Sequence, residues 1–282
     1  MRTVRTVGEV RDALRDPRAR GSRIGLVPTM GAFHAGHLAL MRAARDASDL
    51  VVVSLFVNPS QFTSADDLAK YPRDEAGDSA TAAAAGVDLL FAPSVKELYL
   101  DGFDTTVDPG EMGRILEGAA RPGHFAAVAT VCTKLFSIVQ PRTAWFGQKD
   151  AQQVAVIRHV VADLNLPLEI EAVPTVRDGD GLALSSRNAF LSPAERQVAL
   201  ALPRALTVGL EAHRSGADAV PAARAVIDAE RGLTVDYVAL ADFDGPTLAA
   251  AVRVGATRLI DNVALVDERS LTSDRPERTL RP

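Results

Sequence analysis

Three short stretches hold residue types that can handle phosphate. Residues 28–37, Pro-Thr-Met-Gly-Ala-Phe-His-Ala-Gly-His, follow an apolar run at 24–27 and precede an amphipathic segment at 38–47. The order reads as strand, glycine-containing turn and helix start. At such a junction unpaired N–H groups and the positive end of the helix dipole face one crevice. His34 and His37 are three apart and share a face of a first helical turn. Gly36 between them lets a flat or anionic ligand approach the backbone. Two imidazoles over a helix N-terminus suit a phosphate, because they donate hydrogen bonds and stabilise charge that builds in a transition state. An ordinary turn with two surface histidines, or a pair of metal ligands, are the other readings of His-x-x-His.

Gly147-Gln148-Lys149-Asp150 ends a second apolar segment, and a lysine there can reach phosphate oxygens as a mobile point charge. Leu184-Ser185-Ser186-Arg187 combines hydroxyls with a guanidinium, a set able to clamp phosphate. Each of the two, taken alone, also fits a solvated loop. Gln61 and Gln153 are neutral groups able to hydrogen-bond a hydroxylated, carboxylate-bearing substrate. Asp74, Glu75 and Asp78 read as a solvated acidic helix start, or as carboxylates holding a divalent ion through water. His159 and His213 lack supporting context. No Walker A loop, Gly-x-Gly-x-x-Gly fingerprint or zinc-spaced Cys/His set occurs.

These groups need elements to carry them. Residues 1–20 are charged and helix-prone. Strands are expected at 23–28, 50–57 and 87–92, with helices at 37–47 and 74–86 between them. The apolar run 50–57 reads as a parallel strand buried on both faces, ending in Asn58-Pro59-Ser60-Gln61. A helix at 124–140, a strand at 143–146, a helix at 151–164 and a strand at 168–173 continue the alternation. Such a pattern predicts an α/β, Rossmann-like doubly wound parallel sheet, with ligands at the carboxyl ends of the strands. The character changes at 174–181, so the expected domains are 1–175 and 176–282. In the second, Ser192-Pro193-Ala194-Glu195 signals a helix start. A helix to about 214, another at 217–231 and strands at 235–240, 252–260 and 263–266 make a smaller α+β unit. The tail from Ser273 reads as loose.

The whole chain sets limits on function. With 282 residues, 47% of them hydrophobic and 24% charged, it has an ordinary globular composition. A net charge of −5 argues against a general nucleic-acid or anionic-membrane binder. No apolar run approaches the roughly 20 residues of a membrane span, and the first residues lack a signal-peptide core. The one cysteine, Cys132, lies in an apolar run and has no partner for a disulfide, as expected in a reducing cytoplasm.

Taken together, the His-x-Gly-His turn and the later Ser-Ser-Arg resemble the nucleotidyltransferase superfamily that includes class I aminoacyl-tRNA synthetases. Within it, Pro28–His37, Phe56-Val-Asn-Pro-Ser-Gln-Phe62, Tyr71-Pro-Arg73, Arg121-Pro-Gly-His-Phe125, Phe146-Gly-Gln-Lys-Asp-Ala-Gln-Gln153 and Pro174-Thr-Val-Arg177 resemble the pantoate–β-alanine ligase family. The resemblance runs in order from about residue 1 to 270. Gln148 and Leu184 depart from it, standing where glutamate and methionine are common. It implies a two-step, ATP-dependent and AMP-forming ligation of (R)-pantoate with β-alanine through pantoyl adenylate. His34, His37, Lys149, Ser185, Ser186 and Arg187 would be catalytic. Met30, Gly31, Gly36, Gly147, Gln148, Asp150, Val176 and Leu184 would join them around ATP. Gln61, Gln153, Met30, Phe56 and Asn58 would hold pantoate and β-alanine, with Met30 and Phe56 flanking the dimethyl carbon. Mg²⁺ would arrive on the triphosphate, its protein ligands unknown; a homodimer is implied, as is closure of the second domain about 174–181. A sibling enzyme that transfers AMP to a phosphate ester, and a silent nucleotide binder, are the competing readings. The neutral Asn58, Gln61 and Gln153 weigh against the first, and the histidines with Lys149 against the second.

Overall fold

The computed structural model describes residues 1–62 and 64–265. They form two compact units, Met1–Ser192 and a second beginning at Pro193. In the first unit, β1 (Arg2–Val4), β2 (Ile24–Thr29), β3 (Leu50–Leu55), β4 (Leu89–Phe91), β5 (Thr143–Gly147) and β6 (Glu169–Val173) make one sheet. Its order is β1-β4-β3-β2-β5-β6, and every pairing is parallel. The main helices are α1 (Val7–Ala19), α2 (Ala35–Ala47), α3 (Ala65–Lys70), α4 (Glu75–Ala84), α5 (Val95–Leu98), α6 (Glu117–Ala120), α7 (His124–Val139) and α8 (Ala151–Asp163).

The strand sequences explain why both faces are covered. In β3, Val52 packs into a cluster with Val10 and Leu14 of α1, Val128 to Val139 of α7 and Ile157 of α8. Its neighbours Val51 and Val53 pack the other way, with Leu40, Met41 and Ala44 of α2 and Ala82 of α4. All three valines are fully buried, each worth roughly 1.5–3 kcal/mol of transfer free energy. From β2 the chain winds outward to β3 and β4 on one side, and β5 and β6 lie on the other. The sheet therefore reverses between β2 and β5, and the loops after these two strands flank the crevice.

The expected doubly wound sheet is present, with four local differences. The segment 1–20 contains the edge strand β1 as well as a helix, because three residues suffice to pair with Leu89–Phe91. The helix expected from 192 to 214 is two, α9 (Pro193–Ala199) and α10 (Ala201–Arg214). They are followed by α11 (Ala219–Asp228) and an antiparallel sheet of β7 (Leu233–Asp242), β8 (Pro246–Val254) and β9 (Thr257–Ala264). The strand expected at 252–260 is a hairpin, since Val254 pairs with Thr257 around a turn in which Gly255 takes φ +55°. Of the strand expected at 263–266, residues 263 and 264 are the end of β9, and the positions from 266 on, Ser273 among them, lie outside the described residues. The units divide at 192/193, whereas the sequence suggests 175/176. Residues 176–192 fold back within the first unit: Arg177 bridges Ala183, Leu184 N–H donates to the Val176 carbonyl at 2.9 Å, and Leu182 and Ala183 are buried.

Candidate active site

The turn between β2 and α2 is held from three directions. Gly31 takes φ +89°, and a Cβ there would lie 2.7 Å from the Leu55 Cδ1 and 2.8 Å from the Asp78 Oδ2. Ala32 follows at φ +55°, a left-handed conformation that costs an alanine on the order of 1 kcal/mol. The Asp78 carboxylate offsets this by accepting the Ala32 N–H at 2.8 Å and the Phe33 N–H at 2.7 Å. His34 is then the N-cap of α2: its Nδ1 accepts the Gly36 N–H at 3.1 Å, while its own N–H donates to the His37 Nδ1 at 3.3 Å. A Cβ on Gly36 would lie 2.9–3.0 Å from the His34 ring, so the glycine makes room for that ring.

This cap decides what the imidazoles can do. Each Nδ1 is an acceptor, which leaves the proton of a neutral ring on Nε2. Burial holds the His37 pKa down to about 3, helped by the neighbouring His34 and opposed by Asp150. His34 is lowered too, mainly by burial and then by Lys149. The ring centres lie 4.3 Å apart. At neutral pH the pair is two uncharged N–H donors above the positive end of α2.

One cleft gathers the other groups. From the end of β5 come Lys149 and Asp150, whose charged ends are 3.7 Å apart. Ser185, Ser186 and Arg187 enter from the later loop, where Ser185 caps a short turn by accepting the Arg187 N–H at 3.3 Å. Burial raises the Tyr71 pKa, with Ser186 and Arg187 opposing the shift, and Arg187 pairs with Asp67 at 3.5 Å. From the end of β3 comes Gln61, whose carbonyl accepts from Arg121 and meets the His124 Nδ1, both at 3.0 Å. Burial lowers the His124 pKa to about 4, with Arg121 adding to the shift. Val128, Val131, Cys132, Leu135 and Phe56 give the cleft an apolar wall. Burial pushes the Cys132 thiol up to about 12, so it behaves as a small hydrophobe.

Residues 2–264 match the Pantoate-beta-alanine ligase family. The chain belongs to that family. A pantothenate synthetase from Roseiflexus castenholzii is 52% identical over 279 residues, covering 94% of this chain and 99% of that relative. The pantothenate synthetase of Thermus thermophilus has a solved structure that superposes with a TM-score of 0.89 at 46% identity, over 95% of this chain and all of that one. A pantoate-beta-alanine ligase from Francisella tularensis, solved with beta-gamma ATP and beta-alanine, gives a TM-score of 0.81 at 33% identity, covering 94% and 98%. The family is one of ligases, and the doubly wound sheet with its small antiparallel companion is the fold of these relatives.

Most residues singled out in the sequence meet in the cleft: Met30, His34, Gly36, His37, Phe56, Gln61, Gly147, Lys149, Asp150, Gln153, Val176, Leu184, Ser185, Ser186 and Arg187 all line it. Three do not. Gly31 shapes the turn behind the histidines, and Gln148 lies outside the lining. Asn58 is fully buried, accepting from the Ser60 hydroxyl at 2.8 Å and donating weakly to the Ala127 carbonyl at 3.4 Å. The adjacent glutamines also separate: Gln153 faces the cleft, whereas Gln152 is spent on the backbone of Met112, Ile115 and Glu117.

The acidic trio divides as well. Asp74 caps α4 by accepting the Gly77 N–H at 3.0 Å, Glu75 pairs with Arg5, and Asp78 is buried under the histidine turn. Its one sequence signal is its place one helical turn before the buried Ala82. Tyr71, Arg121 and His124 were present in family-like motifs without a role; nothing in their spacing says that they buttress the Ser186 and Gln61 loops. Among the described residues no three His, Cys, Asp or Glu side chains cluster to hold a metal, and no helix is long and apolar enough to cross a membrane.

Proposed function

We propose that this cleft forms pantothenate from (R)-pantoate and β-alanine at the expense of ATP, through pantoyl adenylate. In the first step a pantoate carboxylate oxygen attacks the α-phosphorus, and the bond from that phosphorus to the bridging oxygen breaks to release pyrophosphate. In the second the β-alanine amine attacks the acyl carbon, the acyl–oxygen bond breaks, and AMP and one proton leave. The observation that carries this reading is the convergence in one cleft of two neutral Nε2–H donors, Lys149 and the Ser185–Arg187 loop with Gln61 and Gln153. A carboxylate and a triphosphate repel one another, so fixed donors and cations at the α-phosphate are what adenylation needs. His37 fits hydrogen-bonding charge stabilisation better than acid catalysis, since a ring with a pKa of about 3 carries no spare proton at neutral pH.

Among the described residues, Asp150 is the one carboxylate that lines the cleft. That fits Mg²⁺ entering as the magnesium complex of ATP and does not fit a resident metal, so no step is routed through a protein-bound ion. The buried, unpartnered Cys132 supports a reducing, cytoplasmic setting. The homodimer implied by the family resemblance is checked by sedimentation. Pantoate labelled with ¹⁸O in its carboxylate tests the chemistry. One label should appear in AMP after a full turnover, and AMP free of label would exclude carboxylate attack on the α-phosphorus.

A further inference from the structure

Asp78 touches no residue that the two chemical steps require, yet it is one of three buried acids among the described residues. It stands on α4, 46 residues from the turn it holds, and Ala82 on the same face anchors that helix in the core. Its two oxygens serve separate donors, Oδ2 taking the Ala32 N–H and Oδ1 the Phe33 N–H. An amide in its place would present an acceptor to one N–H and a donor to the other. Phe33 is the residue before the N-cap, so a shift there passes directly to His34 and, through the His34 N–H, to the His37 ring. Gly31 has no room for a side chain, since a Cβ there would meet Leu55 and the same carboxylate.

We propose that Asp78 is a positioning residue for adenylation: by accepting both N–H groups of the Ala32–Phe33 turn, it fixes the place and tautomer of His34 and His37. This rests on the adenylation reading above, but its geometry can be tested apart from activity. A reacting group displaced by about 1 Å loses on the order of a hundredfold in rate. Asp78→Asn should therefore lower the maximal rate of pantoate-dependent ATP–pyrophosphate exchange by roughly fiftyfold or more, while half-saturating pantoate moves less than about threefold. Long-range ¹H–¹⁵N spectra should show both wild-type rings as Nε2–H tautomers, and Asp78→Asn should mix or broaden them. Because the variant could unfold, couplings across the hydrogen bonds, from the Ala32 and Phe33 nitrogens to the Asp78 Cγ, are to be measured in the wild type. Both should be present. Missing couplings, or a folded Asp78→Asn with unchanged imidazole spectra and exchange rate, would overturn the proposal. Wild type that shows the couplings but no exchange with pantoate would sink the adenylation reading instead, and the spectra would still decide the role of Asp78.

Discussion

The histidine turn and the serine–arginine loop bring donors to the same cleft by opposite means. Around His34 and His37 four backbone donors are satisfied by side chains: a buried carboxylate takes two N–H groups and the rings themselves take two more at the helix cap. The loop at 184–187 is tied by the Leu184 N–H to Val176, by the short turn that Ser185 caps, and by an ion pair whose Arg187 and Asp67 side chains are 33% and 44% exposed. A partly exposed pair of this kind contributes at most about 1 kcal/mol. The buried carboxylate therefore fixes one region, whereas in the other the Arg187 guanidinium can leave its partner at little cost. Preorganised dipoles do most where charge develops, because they need no reorganisation during the reaction. An adjustable cation suits a leaving group that must first bind and then depart.

The largest effect should come from the rigid side. His37→Ala removes a fixed donor, and the rate of pantoate-dependent exchange should fall by about 10²–10³, with a smaller change in ATP affinity. A loss below tenfold would mean that His37 supplies packing and capping alone.

Next comes pH. The native His37 pKa is about 3, well below the ordinary 6.5 of the unfolded chain, so below pH 6.5 the unfolded state binds a proton that the native state refuses. Its contribution to stability is complete above pH 6.5 and lost as pH falls toward 3. Between pH 7.5 and 5 this amounts to on the order of 1–2 kcal/mol, and His37→Asn should flatten a denaturant-unfolding series by that amount. Equal slopes in variant and wild type would place the neutral ring in doubt.

The smallest effect should be at the loose side. Asp67→Asn frees Arg187 from a competing anion, so half-saturating ATP should fall by no more than about fivefold with the maximal rate unchanged. A large loss of rate would show that the ion pair is part of the working site.

What the sequence revealed follows the same division. Strand and helix periods placed β2, β3, β5 and the helices after them, and those junctions carry the histidines, Gln61 and Lys149. Local chemistry was legible wherever a motif contains its own partners. Asp78 was not, because its partners Ala32 and Phe33 are 45–46 residues away and its neighbours Asp74 and Glu75 are exposed acids that hide it. Asn58 differs in the reverse direction: a polar residue at a strand's carboxyl end looks like a ligand group, and in this structure its amide is turned to Ser60 and Ala127. The hairpin at Gly255 is hidden because Val252–Val254 and Leu259–Ile260 read as one strand until the positive φ at Gly255 splits it.

The most direct test of the account is ATP–pyrophosphate exchange with pantoate alone, followed by addition of β-alanine. Exchange that depends on pantoate, with AMP and pantothenate accumulating only after β-alanine enters, is the predicted result. ATP binding without pantoate-dependent exchange would contradict adenylation at this cleft and leave a silent nucleotide binder.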